Sequence, residues 1–136
     1  MIKVLGIDPG LAATGVGLVW GHGRRVEGFA YGAISTPQRW GIGRRLETIH
    51  DRINRLLQEE SPDLMVVEAV FSLDKYPQSG ITLGKVCGVI LLAGQRAGLS
   101  VVEVPVREAK QVLTGNGAAS KMQLERAVRH ELRCPQ

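Results

Sequence analysis

Two short apolar runs each end on a carboxylate. Val4-Leu5-Gly6-Ile7 is closed by Asp8-Pro9-Gly10, and Leu64-Met65-Val66-Val67 follows the stop Ser61-Pro62-Asp63 and ends at Glu68. A continuous apolar run bounded by turn formers reads as a buried strand, and the second run has the character of a strand covered on both faces, as in parallel pairing. Neither acid has a basic residue close by in sequence, and burying an unpaired carboxylate is costly. If the two strands are neighbours pointing the same way, both acids fall at one edge of the sheet. There they can share a hard divalent cation such as Mg²⁺ through oxygen ligands. Taken singly, each acid also has a plain structural role, Asp8 as the turn former before Pro-Gly and Glu68 as a surface residue at a strand end.

The remaining pattern supplies a frame around these strands. Gly15 to Trp20, a turn at Gly21-His22-Gly23, and Val26 to Ile34 predict two further strands in an antiparallel meander with the first. Thr36-Pro37 ends that sheet segment. Ile42, Leu46, Ile49, Ile53, Leu56 and Leu57 then recur at helical spacing. After the second acidic strand come a polar-aromatic loop from Phe71 to Pro77, a nearly all-apolar helix from Ser79 to Ala97, and a buried strand from Val101 to Val104. A short helix over Arg107 to Leu113, a break at Gly115-Asn116-Gly117 and a last helix complete the chain. That last helix opens on Ser120 and Gln123 at capping-box spacing and carries Leu124, Ala127, Val128 and Leu132. The expected fold class is α/β, a mixed sheet with three antiparallel strands followed by parallel ones and with helices on both faces.

Composition narrows the function classes. With 136 residues, 44% hydrophobic and 22% charged, the chain reads as one folded domain over 1–136 and excludes a disordered tail or a filament. Cys87 and Cys134 are too few for a disulfide framework. Met1-Ile2-Lys3 runs straight into a strand, and the most apolar window, Val86 to Gly94, is far shorter than the roughly 20 residues of a spanning helix. A core helix and a cytoplasmic setting are expected. The net charge of +4 is uneven: residues 39–55 carry five arginines against Glu47 and Asp51, whereas residues 56–104 carry three basic and six acidic residues. A polyanionic partner is compatible with this, and so is an ordinary solvated helix with Asp51 and Arg55 as an i,i+4 pair. Gly115 through Met122 lacks the Gly before Lys121 and the Ser or Thr after it that a Walker loop needs. His22, His50 and His130 share no ligand spacing that would hold zinc.

The combination of motifs is more specific than any one of them. Leu5-Gly6-Ile7-Asp8-Pro9-Gly10 with Thr14-Gly15 resembles the opening of the RuvC family of crossover (Holliday) junction endodeoxyribonucleases, which have a ribonuclease-H-like fold. Pro62-Asp63 through Val66-Val67-Glu68 to Val70-Phe71 is similar to that family's second acidic strand and the aromatic after it. Lys110-Gln111-Val112 and Gly115 through Ala119-Ser120-Lys121 are similar to its later basic motifs. The resemblance implies Mg²⁺-dependent hydrolysis of DNA phosphodiesters at four-way junctions in recombination and repair. Asp8 and Glu68 would be catalytic and hold the metal, two Mg²⁺ ions in the complete site, with Mn²⁺ able to substitute. Phe71 would stack on an unpaired base, and Lys110 and Lys121 would face the phosphate backbone. For Phe71 and Tyr76 the plain alternative is an aromatic tucked onto the core, and for the lysines a solvated helix end.

The resemblance also implies a homodimer, suited to a two-fold junction that must be cut twice, and a branch-migration helicase as partner. Gly84 and Gly88 lie in the region that pairs subunits in the family, although close packing within the chain would equally explain two small residues four apart. The family pattern continues into a helix bearing acids spaced Asp-x-x-Asp, which does not occur before Gln136, so the expectation is a domain cut short of its last helix. Two other functions fit parts of the pattern. One is a junction-binding protein that does not cleave. The other is an actin-like nucleotide-binding fold, which also has a Gly-x-Asp-x-Gly turn after its first strand.

Overall fold

A computed structural model describes residues 1–69 and 77–105 of the chain. Five strands and two helices follow in the order β1 (Ile2–Asp8), β2 (Ala13–His22), β3 (Arg25–Ser35), α1 (Ile42–Glu60), β4 (Leu64–Glu68), α2 (Pro77–Arg96) and β5 (Ser100–Val104). The strands form one sheet in the order β3-β2-β1-β4-β5. β1, β2 and β3 pair antiparallel, and β4 joins β1 on one side and β5 on the other in parallel. This is the mixed sheet expected. The helices expected over 107–113 and from Ser120 onward lie outside the described residues, so the helical cover described here is that of α1 and α2.

The meander is longer than expected and turns elsewhere. His22 pairs with Arg25, so the hairpin loop is Gly23-Arg24, and Gly23 supplies the positive φ of 55° that a two-residue loop needs at its first position. Gly21, expected in the turn, lies in the ladder beside a register shift at Trp20/Gly21, pressed so close to the Arg25 carbonyl that a Cβ has no room.

One face of the sheet carries the core. Leu5, Ile7, Leu18, Ile34, Met65 and Val67 pack with Ile49, Ile53 and Leu57 of α1 and Val86, Ile90 and Ala93 of α2. Side chains alternate across a strand, so this cluster accounts for alternate residues of β1 and β4, and Val4, Gly6, Leu64 and Val66 on the other face are half-buried. The double-sided burial expected for β4 therefore holds fully on the helix side alone. Gly94 lets α2 lie against the sheet, since a Cβ there would meet Val101 at 2.5 Å and the Met65 side chain at 2.7 Å.

Three expectations about burial change. α1 packs Leu46, Ile49, Ile53, Leu56 and Leu57 on the core as the apolar stripe predicts, but it leaves Ile42 42% exposed and turns Arg45 inward. β5 is an edge strand in the described sheet, and Val102 is 44% exposed. α2 is only half a core helix. Val86, Cys87, Ile90 and Ala93 are buried, whereas Ile81, Gly84, Lys85, Gly88 and Leu92 face outward. A Cβ at Gly84 or Gly88 would meet nothing within 4 Å, so these glycines do not serve packing within the described chain. Nor do Asp51 and Arg55 pair: Asp51 Oδ1 lies 3.2 Å from His50 Nδ1 instead. No helix among the described residues is long and apolar enough to cross a membrane.

α1 ends where the sequence predicts. Ser61 takes the left-handed conformation and donates its N–H to Leu57 O at 3.0 Å, and Pro62 follows. Asp63 then fixes β4 to β1. Its N–H donates to Lys3 O at 2.8 Å, and its Oδ2 accepts the Lys3 N–H at 2.8 Å. The parallel register of the two acidic strands is thus set at their starts.

Candidate active site

The register decides where the acids go. Val4 pairs with Leu64, Leu5 with Met65, Gly6 with Val66 and Ile7 with Val67. Asp8 and Glu68 are the next residues of the two strands, so they stand side by side at one end of the sheet. Because Ile7 and Val67 point into the helix-covered core, Asp8 and Glu68 belong to the opposite face. Asp8 is exposed and Glu68 half-buried. β3 runs parallel to β1 across the meander, so the ends of β1, β3, β4 and β5 and the start of α1 all lie at this end.

The surroundings of Asp8 are kept open by glycine. Gly15 is its cross-strand partner, and a Cβ there would approach the Asp8 Cβ to 3.4 Å and its Oδ2 to 3.9 Å. Gly6 and Gly17 pair in the neighbouring row of the same face. The carboxylates therefore border bare backbone.

The turn after Asp8 is held from behind by two buried threonines and an arginine. Thr14 donates its hydroxyl to Gly10 O at 2.6 Å and accepts the Gly10 N–H at 3.3 Å. Thr36 donates its hydroxyl to Leu11 O at 2.6 Å and its N–H to Ala12 O at 3.0 Å. Arg45 of α1 then donates Nε to Thr36 Oγ1 at 2.8 Å and Nη2 to Thr36 O at 3.3 Å. A buried guanidinium without a carboxylate is tolerable only when its donors are used, and no buried side-chain N or O among the described residues lacks a partner. Thr14 stood in the opening motif, but Thr36 and Arg45 carried no signal beyond an arginine on an otherwise apolar helix line.

The donor set suits a hard cation. Two adjacent carboxylates offer oxygen ligands of the kind Mg²⁺ and Mn²⁺ prefer, although no group of three or more His, Cys, Asp or Glu is assembled among the described residues. Cys87, 7% exposed, is no rival ligand. Burial first, and then the Glu103 and Glu68 charges, raise its thiol above the ordinary 9.0, which keeps it protonated at neutral pH. Phe71, Tyr76, Lys110 and Lys121 lie outside the described residues.

Comparison with known proteins identifies the family and agrees with the fold. The model of the family described as crossover junction endodeoxyribonuclease RuvC matches residues 4–136. The chain belongs to the RuvC family. The family's crossover junction endodeoxyribonuclease from Heliobacterium modesticaldum is 40% identical over 126 residues, covering 93% of this chain and 77% of that protein. The one from Geobacter sulfurreducens is 38% identical over 135 residues, covering 99% and 82%. Among solved structures, Thermus thermophilus RuvC in complex with a Holliday junction substrate superposes with a TM-score of 0.90 at 27% identity, over all of this chain and 82% of that one. The same organism's RuvC in another structure gives a TM-score of 0.85 at 28% identity, over 99% and 82%. RuvC proteins are metal-dependent nucleases of ribonuclease-H-like fold. Membership makes this chain a crossover junction endonuclease by family and sets aside the actin-like reading.

Proposed function

We propose that this RuvC-family chain cuts four-way DNA junctions with Asp8 and Glu68 as the carboxylates that hold the catalytic metal. The observation that carries the reading is the parallel register of β1 and β4, which brings the two acids together on the side of the sheet opposite α1 and α2. Mg²⁺, with Mn²⁺ as substitute, would be held there and would supply a nucleophilic water and charge neutralisation at the scissile phosphate. The residues themselves do three things. Asp8 and Glu68 provide a fixed negative pair, Gly15 leaves room beside Asp8 for a bulky substrate, and the Thr14 and Thr36 bonds stop the following turn from moving. In this reading Phe71 stacks on an unpaired base and Lys110 and Lys121 grip phosphates, contacts that position DNA without reading its sequence.

The assembly we propose is a cytoplasmic homodimer. Its interface is the outward stripe of α2, where Ile81 is 58% and Leu92 50% exposed around the open glycines Gly84 and Gly88. A two-fold dimer matches a junction that is cut on two strands, and a branch-migration helicase would present the substrate. The test is a gel-shift titration in EDTA with a four-way junction against a duplex of the same sequence, at fixed salt, followed by addition of Mg²⁺. Preferential junction binding and then paired nicks are expected. Equal weak binding to both DNAs would overturn the reading.

A further inference from the structure

Outside the acidic pair, the corner between β3 and α1 carries exposed arginines that the ion pairs of the described residues do not use. No Asp or Glu occurs between Glu27 and Glu47, whereas Arg39, Arg44 and Arg45 do. Arg45 is turned inward and used by Thr36. Arg39 and Arg44 are exposed, and none of the ion pairs among the described residues involves an arginine. Arg44 is not loose, however. Its guanidinium lies 3.7 Å from the centroid of the Trp40 ring, and Trp40 is itself fixed by a turn in which its N–H donates to Pro37 O at 3.1 Å. An arginine seated over an indole has less side-chain freedom to lose on binding.

This corner is bolted to the turn that follows Asp8. The Thr36 bonds to Leu11 and Ala12 join the two segments, and Arg45 ties both to α1. Two strand spacings of about 4.8 Å separate β3 from β1, so the lateral offset across the sheet end is roughly 10 Å, and α1 stands at this end on the face opposite the acids. A planar, exposed guanidinium fits phosphate oxygens bidentately. We infer that Arg39 and Arg44, the latter braced by Trp40, form a phosphate clamp for the DNA arm that enters the acidic site. The inference rests on the reading of Asp8 and Glu68 as the cutting site.

The test is equilibrium binding of a labelled four-way junction and of duplex by the full chain in EDTA across a series of salt concentrations. Arg39→Gln and Arg44→Gln should each lower the slope of log K against log salt by about 1, and the double variant by about 2, with junction and duplex weakened alike. Trp40→Ala should weaken binding while leaving the slope unchanged, because the charge stays and only its bracing is lost. Trp40→Phe should restore it. A wild-type slope in the double variant would overturn the clamp. If Arg44→Gln does not fold by circular dichroism, Arg39→Gln, whose side chain is exposed, decides alone. The two readings fail separately: absent junction preference in the wild type defeats the resolvase reading, and an unchanged salt slope with junction preference intact defeats only the clamp.

Discussion

The two faces of β1 and β4 differ in what they bury. On the helix side, Leu5, Met65 and Val67 are fully buried and Ile7 is 4% exposed. On the other side the same strands offer Gly6, Asp8, Val66 and Glu68, half-buried or exposed, with Gly15 and Gly17 beside them. One face supplies apolar burial and little else. The other combines half-buried Val4, Leu64 and Val66 with bare glycine backbone and the two acids. Stability and chemistry thus sit one residue apart along a strand, which makes the comparison testable by substitution.

Substitutions on the buried face should act on stability alone. Leu5→Ala is expected to cost about 2–5 kcal/mol in denaturant unfolding, with junction binding per folded molecule unchanged; a loss under about 1 kcal/mol would mean the core is not where the strands place it. Arg45→Met tests the link between the faces. It removes two charged hydrogen bonds to Thr36 at a cost of about 1.5–3 kcal/mol, and it should lower cleavage more than the fraction folded explains, because the turn after Asp8 is released. If cleavage tracks the folded fraction alone, Arg45 merely fills space.

The open face should respond in the opposite way. Gly15→Leu forces a side chain against Asp8, and cleavage is predicted to fall roughly tenfold, about 1.4 kcal/mol in barrier, with stability altered by less than about 0.5 kcal/mol. The smallest effect concerns Cys87. Its thiol is raised by burial and then by Glu103 and Glu68, so the folded state favours the protonated form. The stabilisation is complete below the ordinary 9.0 and is lost as pH rises above it towards the folded value. In a Cys134→Ser background, Cys87→Ala should therefore flatten the fall in stability above about pH 9, measured by denaturant midpoints.

Much of this was legible in the sequence because each strand and helix has its own periodic signal. The apolar runs before Asp8 and Glu68 gave strand positions to within a residue or two, and Ser61-Pro62 gave the helix end. What failed did so for identifiable reasons. Gly21 has the composition of a turn and the place of a ladder residue, since pairing across a bulge is invisible in one strand. α2 is apolar on every side, so hydrophobicity could not separate its buried line from the stripe around Gly84 and Gly88. The inward line of α1 begins at Arg45 rather than at Ile42, because Thr36, nine residues earlier, uses the arginine's donors. The acids were legible as strand ends, and their adjacency followed from parallel pairing. The Thr36–Arg45 brace and the Trp40–Arg44 stack rest on contacts between side chains that no spacing rule announces.

The central claim is that Asp8 and Glu68 act as one metal-holding pair. It is tested most directly by titrating Mn²⁺ into the wild type, Asp8→Asn and Glu68→Gln, following the paramagnetic signal of the free ion. Each variant should bind Mn²⁺ at least about tenfold more weakly than the wild type while keeping the wild-type unfolding midpoint in EDTA. Undiminished Mn²⁺ affinity in both variants would contradict the account.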